Sequence, residues 1–121
     1  MTTRTGTTPR QGDIVLIPIP FTDLTSRKRR PVIVVSNDHY NRVAADIVVV
    51  AMTSNPRRVP YSIPITSTDL EQGSLNRPGT VRVDRIYTLS QSIVAKTFGR
   101  VKADLLACVR ASLRELTAAG S

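Results

Sequence analysis

One cysteine, one histidine, no tryptophan and only three tyrosines and two phenylalanines stand among the 121 residues, and each scarcity removes a class of protein. A lone Cys108 cannot cross-link within the chain, so stability has to come from an apolar core, and a chain of this length can bury roughly two-thirds of its unfolded surface. One His and one Cys cannot furnish a zinc site of the usual ligands. Five scattered aromatics cannot build the stacking platform of an RRM or a typical single-strand-binding OB fold. No GxxxxGK[ST] or GxGxxG loop is present to cradle a nucleotide phosphate. Nine carboxylates without an Asp-x-Asp pair give little basis for a two-metal nuclease. No run approaches the ~20 apolar residues of a membrane span, and residues 1–11 (MTTRTGTTPRQ) contain no apolar stretch of the signal-peptide kind, so a cytoplasmic protein without membrane contact is expected.

Positive charge is plentiful. Seventeen Lys and Arg stand against nine Asp and Glu, a net charge of +8, and 14 of the 17 cations are Arg. The planar guanidinium fork suits phosphate oxygens better than an ammonium does, so the excess points toward a polyanion. An Arg-rich composition with no such role is the plainer reading of the same numbers.

Residues 1–10 are polar and aperiodic and read as an N-terminal arm, 11–117 as one domain, and 118–121 as a tail. Asp13–Pro18 reads as a first strand ended by Pro18 and Pro20, and Phe21–Arg30 as a polar loop ending in Arg27-Lys28-Arg29-Arg30. Pro31 holds Arg30 extended, and Val32-Ile33-Val34-Val35 has the β-branched density of a strand buried on both faces. Asp46–Met52 has the same character and ends at the turn Thr53-Ser54-Asn55-Pro56. Tyr61–Ile65, interrupted by Pro64, predicts an edge strand. A loop is expected from Ser67 to Gly79, with a helical turn over Asp69–Gln72. Thr80–Ile86 alternates with period two, so Val81 and Val83 share one face and Arg82 and Asp84 the other. Val101, Leu105, Val109, Leu113 and Leu116 recur at helical spacing, widened by Leu106 and Cys108, and Cys108 is expected in the core. Strands joined without long helices argue for a compact antiparallel, barrel-like sheet plus a terminal helix.

RNA carries its own nucleophile, the 2′-OH. Its cleavage needs a base for that proton, cations for the charge building on phosphorus, and help for the departing oxygen. Arg82 and Asp84, two positions apart on one strand face, set a phosphate-binding fork and a candidate base roughly 6–7 Å apart along the backbone. A solvated salt bridge is the bland alternative. Arg30 ends a cationic cluster of the kind that is usually solvated, yet its place before Pro31 and a buried strand gives it a rigid mount. Thr53 either caps its turn or reaches a phosphate. His39, in the polar stretch Asn37–Asn41, reads as an exposed or turn residue rather than a base.

Gly12-Asp13-Ile14-Val15-Leu16, Arg30–Ser36, Ala51-Met52-Thr53-Ser54-Asn55, Thr80–Ile86, Thr88-Leu89 and the helix end Leu113-Arg114-Glu115-Leu116 together resemble, in order and spacing, the MazF/PemK family of toxin endoribonucleases, over about residues 11–117. The resemblance implies an SH3-like small barrel with a C-terminal amphipathic helix, assembled as a homodimer. It implies metal-independent cleavage of single-stranded RNA at short sequences, without a cofactor, leaving a 2′,3′-cyclic phosphate and a 5′-OH, and a cognate acidic antitoxin that lies in the RNA groove. Carried over by position, the catalytic candidates are Arg30, Thr53, Arg82 and Asp84. Asp84 is the candidate base, and Arg30 and Arg82 stabilise the transition state; Arg27, Lys28, Arg29, Ser54, Asn55, Arg57 and Arg58 are candidate RNA contacts. The chain departs from the family in the loop before Arg30, where some members carry Glu and this chain has Thr25, the nearest acid being Asp23. A noncatalytic topoisomerase-binding toxin resembling CcdB, or a basic nucleic-acid-binding module, are the competing readings.

Overall fold

The β-branched runs become neighbouring strands of one antiparallel sheet. A computed structural model describes residues 8–18, 29–55 and 58–120. Its elements are β1 (Asp13–Pro18), β2 (Arg29–Val34), α1 (Asp38–Val43), β3 (Asp46–Thr53), β4 (Ser62–Ile65), β5 (Leu70–Gln72), β6 (Gly79–Ser90), β7 (Lys96–Val101) and α2 (Ala103–Leu116), with single 3₁₀ turns at Ser67–Asp69 and Gln91–Ile93. The strand order β4-β6-β3-β2-β1-β7-β5 makes a curled half-barrel with a C-terminal helix, the mainly β fold expected.

Both faces of the central strands are covered, which is why they read as unbroken apolar runs rather than alternating ones. One face gathers Ile14, Ile33, Val50, Met52, Val81 and Val83 under Leu105 and Val109 of α2. The other gathers Val15, Ile17, Val32, Val34, Ile47 and Val49, with Tyr87, Leu89 and Val94 packed against them. Each fully buried aliphatic side chain contributes about 1.5–3 kcal/mol relative to exposure. Most of the fold's stability therefore resides in β1, β2, β3 and β6.

β1, β3 and the edge position of β4 agree with the sequence reading, and β6 extends the Thr80–Ile86 strand to Gly79–Ser90. Five details differ. Arg29 and Arg30 belong to β2, opposite Pro18 and Ile17, rather than to a loop. His39 sits on α1, because the Asn37 side chain accepts the Tyr40 N–H at 2.8 Å and caps a helix where a loop was expected. Asp69–Gln72 is not a helical turn: the turn ends at Asp69, and Leu70–Gln72 pairs with β7 as the far edge of the sheet. Val101 ends β7 rather than opening the helix, which begins at Ala103. Cys108 is exposed, on the rim of a stripe whose buried members are Leu105 and Val109.

Candidate active site

Three strand ends and one bulge assemble the site. Thr53 closes β3, and its hydroxyl accepts the Asn55 N–H at 3.1 Å, the turn-capping role considered for it. Across the ladder it faces Thr80, whose hydroxyl donates to the Asn55 carbonyl at 3.1 Å. Gly79 permits this closeness: a Cβ there would stand 2.8 Å from the Thr53 carbonyl oxygen, a distance no side chain tolerates. The 53–55 turn is thus clamped onto the start of β6.

β6 then breaks register. Val50 faces Ile86 but the next residue of β3, Ala51, faces Arg82, so residues 83–85 bulge against a single step of β3. The Val83 N–H is satisfied instead by the Tyr61 carbonyl at 3.0 Å. Such bulges re-aim side chains, and this one carries Asp84. Arg82 donates through Nε to Asp84 Oδ1 at 3.0 Å and through Nη2 to Oδ2 at 2.9 Å, a bidentate pair with side-chain exposures of 20% and 34%. These hydrogen bonds hold the Asp84 carboxyl below the usual carboxylate range, and the Arg82 guanidinium above its own, against the opposing cost of desolvation. Asp84 therefore stays ionised at neutral pH.

Two grooves meet beside this pair. The first, about 300 Å³, is lined by Arg29, Arg30, Thr53 and Ser54 from β2 and the end of β3, and by Leu75, Asn76, Arg77 and Pro78 from the β5–β6 connection. Leu16, Pro31, Met52 and Phe98 supply its apolar wall. The second, about 510 Å³, is lined by Arg58, Val59, Ser62, Pro64 and Thr80, and shares Pro78 and Gly79 with the first. Ser62 lies directly across the ladder from Arg82, which places the ion pair at the second groove's margin.

Among the described residues no carboxylate lines either groove. Among the described residues, Arg29, Arg30, Arg58 and Arg77 form no ion pair, whereas Arg82 and Arg100 do. Guanidinium groups with no ion-pair partner among the described residues, around a cleft that those residues line without an acid, make a site for an anion. Among the described residues no three His, Cys, Asp or Glu side chains are grouped to hold a metal ion.

The structure thus brings Arg29, Arg30, Thr53 and Ser54 together, sets Arg58 in the adjoining groove, and places Arg82 and Asp84 on the neighbouring stretch of β6 rather than in either wall. Asn55 acts through its backbone, holding Thr53 and Thr80. Arg27, Lys28 and Arg57 lie outside the described residues. His39 lines neither groove. Arg77, Asn76 and Phe98 were not singled out in the sequence; the one available signal was that Arg77-Pro78 repeats the Arg30-Pro31 pairing of a cation with a rigid successor.

Fold and site together define a small curled antiparallel sheet with a terminal helix and an arginine-rimmed cleft at the strand ends. The family described as PemK-like, MazF-like toxin of type II toxin-antitoxin system matches residues 10–117, and the chain belongs to it. MazE-MazF from Deinococcus radiodurans is similar at 25% identity with a TM-score of 0.73, over 95% of this chain and 100% of that one. An endoribonuclease from a mycobacterial species is similar at 24% identity and TM-score 0.72, covering 93% of each chain. An endoribonuclease in complex with its cognate antitoxin, also mycobacterial, is similar at 22% and 0.71, over 93% of this chain and 99% of that one. No curated relative matches the chain by sequence.

Proposed function

We propose that this chain is the ribonuclease toxin of a toxin–antitoxin module, cutting single-stranded RNA without a metal ion and leaving a 2′,3′-cyclic phosphate and a 5′-OH. The observation that carries this reading is the bidentate Arg82–Asp84 pair, set at a bulge next to an arginine-lined cleft that holds Arg30 and Thr53. The family and its endoribonuclease neighbours support it.

The ionised Asp84 accepts the 2′-OH proton. Its lowered pKa makes it a weak base, so less of the rate comes from proton abstraction than from charge stabilisation. Arg82, fixed by Asp84, presents its remaining N–H groups to the phosphoryl oxygens, and Arg30 does so from the opposite strand end. A guanidinium with a raised pKa does not surrender a proton, so Arg82 stabilises the leaving 5′-oxygen by hydrogen bonding rather than as an acid, and that oxygen takes its proton from water while Asp84 returns its own to solvent. Thr53, already holding its turn, adds a hydroxyl to the same oxygens. Arg29, Ser54 and Arg58 contact the flanking strand.

The active form is a homodimer, in the cytoplasm, where the cleavage of RNA stops translation and growth. A cognate acidic antitoxin neutralises it by occupying the arginine-rimmed cleft. No helix among the described residues is long and apolar enough to cross a membrane.

The test is incubation of a mixed-sequence single-stranded RNA with the protein in excess EDTA, followed by end-group analysis. Cyclic-phosphate and 5′-OH ends that vanish with an Arg82→Ala, Asp84→Ala double variant support the proposal. RNA left intact at micromolar protein overturns it.

A further inference from the structure

The first groove has a feature that phosphate binding does not require: an apolar wall of nucleobase size beneath its arginines. Leu75 and Phe98 pack on the core cluster that contains Met52, and all three line the groove with Leu16 and Pro31. Arg77 and Asn76 stand in the same lining as Arg29 and Arg30 of β2. A volume of about 300 Å³ lies at the small end of the range for ligand pockets and admits one planar ring system.

The wall is rigidly mounted. The Leu75 N–H donates to the Ser67 hydroxyl at 2.8 Å, and that hydroxyl donates to the Leu75 carbonyl at 3.1 Å, pinning the connection on both sides. A Cβ on Gly99 would stand 2.6 Å from the Gln72 carbonyl oxygen, and one on Gly73 2.8 Å from the Phe98 carbonyl oxygen, so β5 and β7 interlock at full backbone contact beside Phe98. Arg77 lies in a bend of this connection, and Pro78 after it restricts its backbone. These constraints leave an apolar slot with a cation in its lining, complementary to one nucleotide: base against the wall, phosphate against the guanidinium.

Resting on the ribonucleolytic reading, we propose that this groove is a single-nucleotide subsite of the RNA path, in which Phe98 and Leu75 hold one base beside the scissile bond and Arg77 grips its phosphate. Pro78 and Gly79 form the saddle over which the strand passes toward Arg58 and the second groove.

The experiment uses a short RNA spanning the wild-type protein's own cleavage position, made uncleavable by a 2′-deoxy nucleotide there, with an abasic residue walked along the strand. For the wild type, one position loses affinity by about tenfold when its base is removed, as expected for a stacked base. In Phe98→Leu, which keeps an apolar side chain on the core, that position's loss shrinks to about twofold while every other position behaves as before. In Arg77→Ala the logarithmic salt slope of binding falls by about 0.7, the share of one phosphate on a single strand. Absence of any position coupled to Phe98→Leu, or an unchanged salt slope in Arg77→Ala, overturns the subsite and leaves the ribonucleolytic reading standing. A wild-type protein that cleaves no RNA removes both.

Discussion

Two arginine–aspartate pairs share the same chemistry and do opposite work. Arg82 and Asp84 are two residues apart on one strand, so their ion pair closes no loop and joins no two elements. Arg100 and Asp13 are 87 residues apart and meet at 2.7 Å, with exposures of 18% and 13%. Arg100 also donates to the Gln11 carbonyl at 3.1 Å and approaches Glu71 at 3.4 Å, while Asp13 accepts the Arg10 N–H at 2.9 Å. The second pair staples β1 to β7 and β5; the first only orients a guanidinium beside a cleft. Sequence separation, more than geometry, tells a structural ion pair from one kept for a ligand.

Mutation should separate the two sharply. Arg82→Ala is expected to lower RNA cleavage by about two to three orders of magnitude, the cost of removing one preorganised donor. Its unfolding free energy should stay within about 0.5 kcal/mol of wild type, because the pair joins no two elements; single-turnover kinetics and urea titration check both halves. A large stability loss in this variant would erase the distinction. Asp13→Ala should do the converse. Leaving Arg100 without its closest carboxylate is expected to destabilise the fold by about 2–3 kcal/mol, read from urea titration, with cleavage per folded molecule preserved.

The pH response sharpens the same comparison. Asp84 is held below the ordinary carboxylate range, so the stability it contributes is fully present above the unfolded-state pKa of about 3.9 and is lost only as pH falls through its lower folded value. Arg82 is shifted upward, so its contribution is present at every pH below the ordinary guanidinium range. The rate of cleavage should therefore be flat with respect to Asp84 ionisation from pH 5 to 8, with its acid limb below about pH 4. A limb near pH 6 that survives in Asp84→Asn would assign the base to another group. The smallest effect expected is at Cys108. Exposed on α2, its replacement by Ser should change stability by less than about 0.5 kcal/mol in thermal unfolding; a larger loss would restore it to the core.

Most of the catalytic proposal was legible because its elements are short-range. The shared face of Arg82 and Asp84 follows from the period of two in Thr80–Ile86, and the strand status of Val32–Val34 and Asp46–Met52 from β-branched density alone, though β2 ends one residue before Val35. β7 was not legible. Its sequence, Lys-Thr-Phe-Gly-Arg-Val, alternates weakly and carries a glycine, and it is a strand because β1 and β5 pair with it on either side. β5 and α1 were hidden for similar reasons, one being three residues of edge pairing and the other a helix held by one side-chain cap.

The sequence by itself determined the central strands, the helix stripe, the cationic surplus and the placement of Arg82 and Asp84 on one strand face, because each depends on neighbours within a few positions. Only the tertiary structure decided that Arg77 and Phe98 line one groove with Arg29, Arg30 and Thr53. Contacts between β2, the β5–β6 connection and β7 are set by strand order and by glycine-permitted backbone approach, and neither leaves a period in the sequence.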